Sequence, residues 1–135
     1  MKTQTFKATI DNLDDVLAFI DEELENAECS IKTLMQINIA VEELFVNIAH
    51  YAYKSGVGEV DISIRITDDP AMAEITLNDL GIPYDPLAKE DPDVNLSAEE
   101  RQIGGLGIYM VKKTMDLMTY SYENGHNIVT ICKYL

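Results

Sequence analysis

The sequence predicts a two-layer α/β sandwich of the α+β class, with three main helices on one face of a mixed but mostly antiparallel sheet. Three observations indicate this fold. Two helical periodicities follow an N-terminal strand, alternating apolar residues mark further strands joined by tight turns, and a glycine-rich segment opens a third helix. The order βααββ–loop–αββ suits one layer of helices on a sheet. The length of 135 residues fits a single domain over 1–135.

The N-terminal part predicts one strand and two helices. Residues 3–10 alternate loosely, as a strand does. Asn12 then starts a helix, because its side chain can cap free N–H groups and Asp14-Asp15 suit the helix dipole. Ser30 caps a longer helix over about 30–53. The residues predicted to be buried are Val16, Leu17, Phe19, Ile20 and Leu24 in the first helix and Leu34, Ile37, Val41, Leu44 and Ile48 in the second.

Two strands follow the second helix. Apolar and polar residues alternate strictly over 60–66, and Asp68-Asp69-Pro70 turns the chain into a strand in which Ala73, Ile75 and Leu77 share one face. Asp79 has the same parity, so we predict that its carboxylate points inward. Because an inward carboxylate needs a polar partner, Asp79 is the best local indication of a ligand.

The C-terminal part begins with a long loop over 85–103 that contains prolines and many acids. A loop of this length in a compact domain is usually functional or mobile. The glycine-rich segment then opens a helix over 104–116. Asn124-Gly125 is a strong hairpin signal between the strands 118–123 and 126–134.

The composition limits the partners. The formal charge of −14 disfavours nucleic acid and anionic membranes, because both would be repelled. The acidity is typical of a well-solvated surface, and an acidic face for a basic protein partner is the alternative. Cys29 and Cys132 have no metal-type spacing and are expected to be buried, reduced thiols. Neither a signal sequence nor a membrane span is evident, so we expect a cytoplasmic protein.

One helix row carries a possible metal site. Glu43, Asn47 and His50 are spaced by four and three residues, which places them at the margin of the buried face. An amide oxygen is a hard ligand suited to Mg²⁺, and a nearby carboxylate can accept a proton from an attacking hydroxyl. Alone, the row is more typical of an ordinary polar helix flank.

Two further segments could contact a nucleotide. Asp79 offers an acceptor to an exocyclic amine such as that of adenine, with Gly81 free to adopt unusual backbone angles, although Asp-x-Gly alone is typical of a turn. Gly104-Gly105-Leu106-Gly107 opens a helix whose N–H groups and dipole attract phosphate. Arg101 just before it could neutralise phosphate charge or could be a solvated loop residue.

Taken together, these segments resemble the GHKL (Bergerat-fold) ATPase superfamily, and most closely its anti-sigma-factor serine/threonine kinase branch. Glu43-x-x-x-Asn47 followed by His50-Tyr51-Ala52-Tyr53 resembles the N box. DLGIPYDP over 79–86 resembles the G1 box, and GGLGIYMV over 104–111 resembles the G2 box. The closing strand Asn127-Ile128-Val129-Thr130 also fits. The resemblance spans nearly the whole chain.

The resemblance implies ATP and Mg²⁺ as cofactors. Asn47 would coordinate the metal, Glu43 would be the general base, Asp79 would bind adenine, and 85–103 would form the ATP lid. The nucleotide-binding residues that it implies are Asn47, Asp79, Gly81, Pro83, Arg101, Gly104, Gly105, Leu106, Gly107 and Thr130. Two departures are His50, one place earlier than the usual histidine, and Leu80, in place of a commoner polar residue.

The resemblance further implies a kinase that phosphorylates a STAS-type anti-anti-sigma protein on serine or threonine and sequesters a sigma factor, with a homodimer expected from the family alone. A nucleotide-gated binding module without phosphoryl transfer is the alternative. A detached catalytic domain of a sensor histidine kinase is the weaker third, because both histidines, His50 and His126, fall inside the domain.

Overall fold

The computed structural model describes residues 1–53, 56–88 and 105–135. The strands are β1 (Lys2–Lys7), β2 (Glu59–Asp68), β3 (Ala71–Asp79), β4 (Leu117–Glu123) and β5 (His126–Tyr134), and the helices are α1 (Leu13–Asn26), α2 (Ile31–Asn47) and α3 (Gly105–Thr114). A π-helical turn (Ile48–Ala52) extends α2, and 3-10 turns cover Ile10–Asn12 and Pro86–Ala88. Within these ranges, no helix is long and apolar enough to cross a membrane.

The five described strands form one sheet in the order β1-β2-β3-β5-β4. The predicted α+β class is confirmed. The pairing is more uniform than the mixed sheet that we predicted, because every neighbouring pair is antiparallel. Short turns join β2 to β3 and β4 to β5, and a chain that reverses direction in a short turn can pair only with antiparallel strands. The two helices between β1 and β2 run out and back, so the chain re-enters the sheet at the end it left.

The core lies between the helices and one face of the sheet. The helices contribute Val16, Ile20, Leu24, Ile37, Val41, Leu44, Phe45, Ile108 and Val111, and the strands contribute Phe6, Val60, Ile62, Ile64, Ala73, Ile75, Leu77, Val129 and Ile131. The predicted parity of β3 is therefore right. Asp79 continues the buried row of that strand into the end of the core, where it is only 4% exposed.

The helix ends show where local sequence signals hold. Ser30 caps α2 as predicted, since its Oγ accepts the N–H of Thr33 at 3.1 Å. Asn12 precedes α1 but makes no capping bond. Its Nδ2 instead donates to the Lys7 carbonyl at 3.0 Å, which ties the start of α1 to β1. The α-helical part of this run ends at Asn47, and the π-helical turn carries it to Ala52, close to the predicted end near residue 53.

Candidate nucleotide-binding site

A cavity opens where the end of α2 and its π-helical turn meet the ends of β3 and β5. Its volume is about 30 Å³, enough for one or two water molecules. Most of its wall is apolar, and the polar groups on it are few. The lining residues are Leu44, Asn47, Ile48, Tyr51, Ala52, Asp79, Ile82, Tyr84, Pro86, Asn127 and Val129. The structure thus brings Asn47 and Asp79 to one cavity from motifs that are separate in the sequence.

The Asp79 carboxylate is buried in the wall of this cavity. Its Oδ1 atom accepts the Gly81 N–H at 2.8 Å and the Nδ2 group of Asn127 at 3.0 Å. No ion pair involving Asp79 occurs within the described ranges. A buried carboxylate that accepts two neutral N–H groups suits a ligand that brings a further donor, such as an exocyclic amine.

Asn127 is the site residue that the sequence reasoning missed. It is 3% exposed and pairs with Asp79 across β3 and β5. Besides contacting Asp79, its Nδ2 group lies 2.8 Å from the Ile82 carbonyl and 3.3 Å from that of Gly81. Its Oδ1 atom accepts the Tyr84 N–H at 3.2 Å and the Tyr120 hydroxyl at 2.5 Å. The sequence does contain a signal for Asn127. Because side chains alternate along a strand, residue 127 lies on the same face of β5 as the apolar residues Val129 and Ile131.

Thr130 lies on the opposite face of the sheet from Asp79. Its hydroxyl is 3.1 Å from that of Thr76, its cross-strand neighbour on β3. Alternation along β5 turns residues 127 and 129 toward the cavity and residue 130 away from it. The geometry therefore favours Asn127 over Thr130, which the resemblance implied as a nucleotide-binding residue, as the polar residue of β5 that faces the cavity.

Glu43 lies beside the cavity, at the contact between α2 and α3. The Nδ2 group of Asn47 is 3.5 Å from Glu43 Oε1, so two of the three residues in the predicted row contact each other. A side chain at position 107 would overlap the Glu43 carboxylate, which explains the glycine there. The start of α3 thus lies directly against the predicted general base. His50 is exposed and contacts the Tyr51 ring, with 5.9 Å between ring centroids.

Gly81 and Pro83 line a second, open cavity that also includes Tyr53, Leu80 and Tyr122. A side chain at Gly81 would overlap the backbone of Ala52, and the Ala52 carbonyl accepts the Ile82 N–H at 2.8 Å. The glycine is therefore required by a close approach of two protein segments. Leu80 is 63% exposed on this side.

The remaining predicted residues belong to the segment before α3. Arg101, Gly104 and the loop over 89–103 lie outside the described residues. Gly105 and Leu106 form the first turn of α3. Because Gly107 contacts Glu43, the N-terminus of α3 is close to the row formed by Glu43 and Asn47.

The fold and the arrangement of these motifs define a class of ATPase domains. The family model described as "Histidine kinase-like ATPase domain" matches residues 6–133, and the chain belongs to that family. Among curated proteins, it is similar to the serine-protein kinase RsbW of Bacillus cereus strain B4264, with 31% identity over 103 residues that cover 73% of this chain. RsbW of Listeria monocytogenes strain EGD-e is 29% identical over 111 residues, which cover 78% of this chain and 69% of the relative.

The chain spans only 62% of the length of the B. cereus relative. Two solved structures share the fold at low identity. The histidine kinase domain of a blue-light-activated kinase from Erythrobacter litoralis matches 76% of this chain and 45% of its own, with a TM-score of 0.53 and 16% identity. The histidine kinase AdeS of Acinetobacter baumannii matches 99% of this chain and 68% of its own, with a TM-score of 0.50 and 15% identity.

Proposed function

We propose that this chain binds ATP with Mg²⁺ and is an anti-sigma-factor serine/threonine kinase. Its substrate would be a STAS-type anti-anti-sigma protein, and its other partner a sigma factor that it sequesters. The observation that carries nucleotide binding is the buried Asp79 carboxylate, which shares one cavity with Asn47. Membership of the ATPase family and the similarity to two serine-protein kinases support the proposed kinase activity and the proposed protein partners.

The base would lie between the apolar wall of the cavity and Asp79. The wall offers Leu44, Ile48 and Val129 to its ring, and Asp79 offers a carboxylate oxygen to its exocyclic amine. Because an adenine ring is larger than the cavity, base binding requires part of the wall to move. The rings of Tyr51 and Tyr84 stack at 6.4 Å between centroids on that wall, and rotation of the Tyr84 ring would widen it.

The donor set fits a magnesium ion that is held mainly by phosphate. Asn47 lines the cavity, and its contact with Glu43 uses the amide nitrogen, so that Oδ1 is the atom suited to a metal. No group of three or more His, Cys, Asp or Glu side chains in the described part of the chain could hold a metal ion. This agrees with Mg²⁺, which commonly binds few protein ligands together with phosphates and water. When bound, the ion would neutralise charge on the phosphates.

The chain's own residues would then position the reacting groups. The N–H groups at the start of α3 would bind phosphate oxygens, and the helix dipole would favour the negative charge. Arg101, which precedes this helix, would add positive charge. Glu43 would accept the proton of the serine or threonine hydroxyl as the hydroxyl oxygen bonds to the γ-phosphorus of ATP and the bond to the β–γ bridging oxygen breaks, which releases ADP. The contact between Glu43 and Gly107 supports this assignment, because it places the base beside the phosphate-binding turn.

The charge of the chain supports protein partners with basic surfaces and disfavours nucleic acid. The proposal places the protein in the cytoplasm, where ATP and sigma factors occur, and includes the homodimer expected from the family.

A phosphorylation assay tests the kinase proposal. The purified chain is incubated with labelled ATP, Mg²⁺ and the STAS protein encoded nearest to it, and the products are analysed for phosphoserine and phosphothreonine. We expect labelled STAS protein with the wild type and none with Glu43→Gln. If the wild type labels no STAS candidate but still binds ATP, the chain is the alternative, a nucleotide-gated binding module.

The two functions also differ in what Glu43 does for partner binding. In the kinase, Glu43→Gln keeps ATP binding and loses the partner regulation that depends on phosphorylation. In the binding module, the variant keeps both nucleotide affinity and partner regulation. Equilibrium binding of ATP and of the STAS protein to both forms distinguishes the two.

A further inference from the structure

The side chain of Asn127 is saturated by protein groups at the end of β5. Its Nδ2 group faces three oxygens, from Asp79, Gly81 and Ile82, and its Oδ1 atom faces two donors. Nothing in the proposed mechanism uses these contacts. Moving a buried amide with this many partners would break several hydrogen bonds at once. The amide therefore holds the groups that it contacts in one position.

The surroundings permit only one orientation of this amide. If the amide were flipped, its oxygen would face the three acceptors and its nitrogen would face the Tyr84 N–H and the Tyr120 hydroxyl. Burial raises the pKa of Tyr120, which keeps the hydroxyl protonated and able to donate. The Tyr84 N–H and the carbonyls of Gly81 and Ile82 therefore lock Nδ2 toward Asp79, and the Tyr120 hydroxyl stabilises this orientation by donating to Oδ1.

The locked amide has two consequences at the cavity. The Asp79 Oδ1 atom already accepts the Asn127 and Gly81 N–H groups. A donor on a ligand would therefore bond to Oδ2. The loop from Gly81 to Tyr84 is held against β5 at three backbone groups. Both effects fix the acceptor's position before a ligand arrives, which lowers the ordering cost of binding.

We propose that Asn127 is a positioning residue for base selection. With the Tyr120 hydroxyl donating to its amide oxygen, Asn127 holds Asp79 so that the site accepts a 6-amino purine and rejects a 6-oxo purine. A 6-oxo group would place an acceptor where the carboxylate needs the amine donor, so the two oxygens would repel each other. The inference rests on the proposed nucleotide binding at this cavity. It adds the residue that sets which base the cavity prefers.

The test compares adenosine and inosine diphosphates, measured by calorimetry without metal so that the base contact dominates. These nucleotides differ at the 6-position of the base, where an amine is replaced by a carbonyl, and at the adjacent N1, which carries a proton in the inosine base. The variants are Asn127→Leu, which is similar in size and apolar, and Tyr120→Phe, which removes only the hydroxyl. Thr76→Val is the matched control, because it lies on β3 on the face away from the cavity.

We expect Asn127→Leu to bind ADP about tenfold more weakly or worse, the usual result of removing partners from a buried carboxylate. The preference for ADP over IDP should fall by at least about threefold, and by a smaller amount in Tyr120→Phe. Thr76→Val should keep the wild-type preference. A purely structural role for Asn127 would weaken both nucleotides equally, so the ratio separates the two roles.

Three results would overturn the inference. The first is an unchanged ratio in a folded Asn127→Leu variant, and the second is ADP binding as tight as that of the wild type. If Asn127→Leu does not fold, as judged by circular dichroism, Tyr120→Phe decides, and an unchanged ratio there is the third. A wild type that binds neither nucleotide would refute the proposed function as well, whereas a wild type that binds both without preference would refute the inference alone.

Discussion

Asp79→Asn separates the ligand role of this carboxylate from its structural role. Oδ1 is the shared acceptor of the Gly81 N–H and of Asn127 Nδ2, at 2.8 and 3.0 Å. An asparagine side chain keeps an oxygen at that place and replaces Oδ2 by an NH₂ group. We expect the free energy of unfolding to change by less than about 1 kcal/mol, because both bonds can persist.

The same substitution should strongly reduce nucleotide affinity. An NH₂ group facing the exocyclic amine leaves two donors opposed, which costs about 1–3 kcal/mol or about 5- to 150-fold in affinity for ADP. The loss should persist without Mg²⁺. Calorimetry with metal-free ADP measures the affinity, and urea unfolding measures the stability.

Asp79→Ala is the comparison, because it removes the acceptor of both N–H groups. Asn127 Nδ2 keeps the Ile82 and Gly81 carbonyls, whereas the Gly81 N–H is left unpaired, so we expect a loss of about 1–3 kcal/mol of stability. If Asp79→Asn binds ADP as well as the wild type, Asp79 is not the base acceptor. If instead it loses as much stability as Asp79→Ala, the carboxylate is mainly a core partner.

Three further predictions concern the metal ligand, a close backbone approach and the response to pH. Asn47→Ala should weaken ATP binding in Mg²⁺ and have little effect in EDTA, and an equal loss in both would exclude Asn47 as the metal ligand. Gly107→Ala should displace the Glu43 carboxylate and reduce phosphorylation of the STAS protein, while the free energy of unfolding changes by less than about 1 kcal/mol because the added methyl group meets only the end of a flexible side chain, and unchanged phosphorylation would show that this contact does not hold the base. Burial raises the pKa of Tyr53 and of Tyr120 above 10.0. The folded protein then holds these protons more tightly than the unfolded chain. The contribution of the two tyrosines to the free energy of unfolding should therefore be fully present below about pH 10 and fall as the pH rises further. In Tyr120→Phe, the urea midpoint should fall less steeply as the pH rises above about 10. If the fall is as steep as in the wild type, groups other than Tyr120 cause it.

Local periodicity in the sequence predicted much of the fold. The alternation on β2 and β3 placed the buried rows and the inward Asp79, and Ser30 marked the start of α2. These features depend on neighbours within a few residues. The predicted end of this helix near residue 53 also agrees with the π-helical turn that ends at Ala52, but the change from α- to π-helical geometry after Asn47 was not predicted.

The same distinction applies to the site. The motifs identified Glu43, Asn47 and Asp79 as candidates by residue type and spacing, whereas on β5 the sequence reasoning named Thr130 and did not use the apolar alternation that includes position 127. The sequence could not show that Asn127 meets Asp79, since this contact joins residues 48 positions apart through the pairing of β3 with β5.

The sequence by itself thus determined the α+β class, the parity of the strands and the order of the motifs, because helical and strand periods are local properties of the chain. Only the tertiary structure decided which polar groups share the cavity, why Gly81 and Gly107 are glycines, and how the amide of Asn127 is oriented. These depend on strand order and on the packing of α2 against α3. Such contacts bring distant segments within hydrogen-bonding distance, and no local pattern specifies that distance.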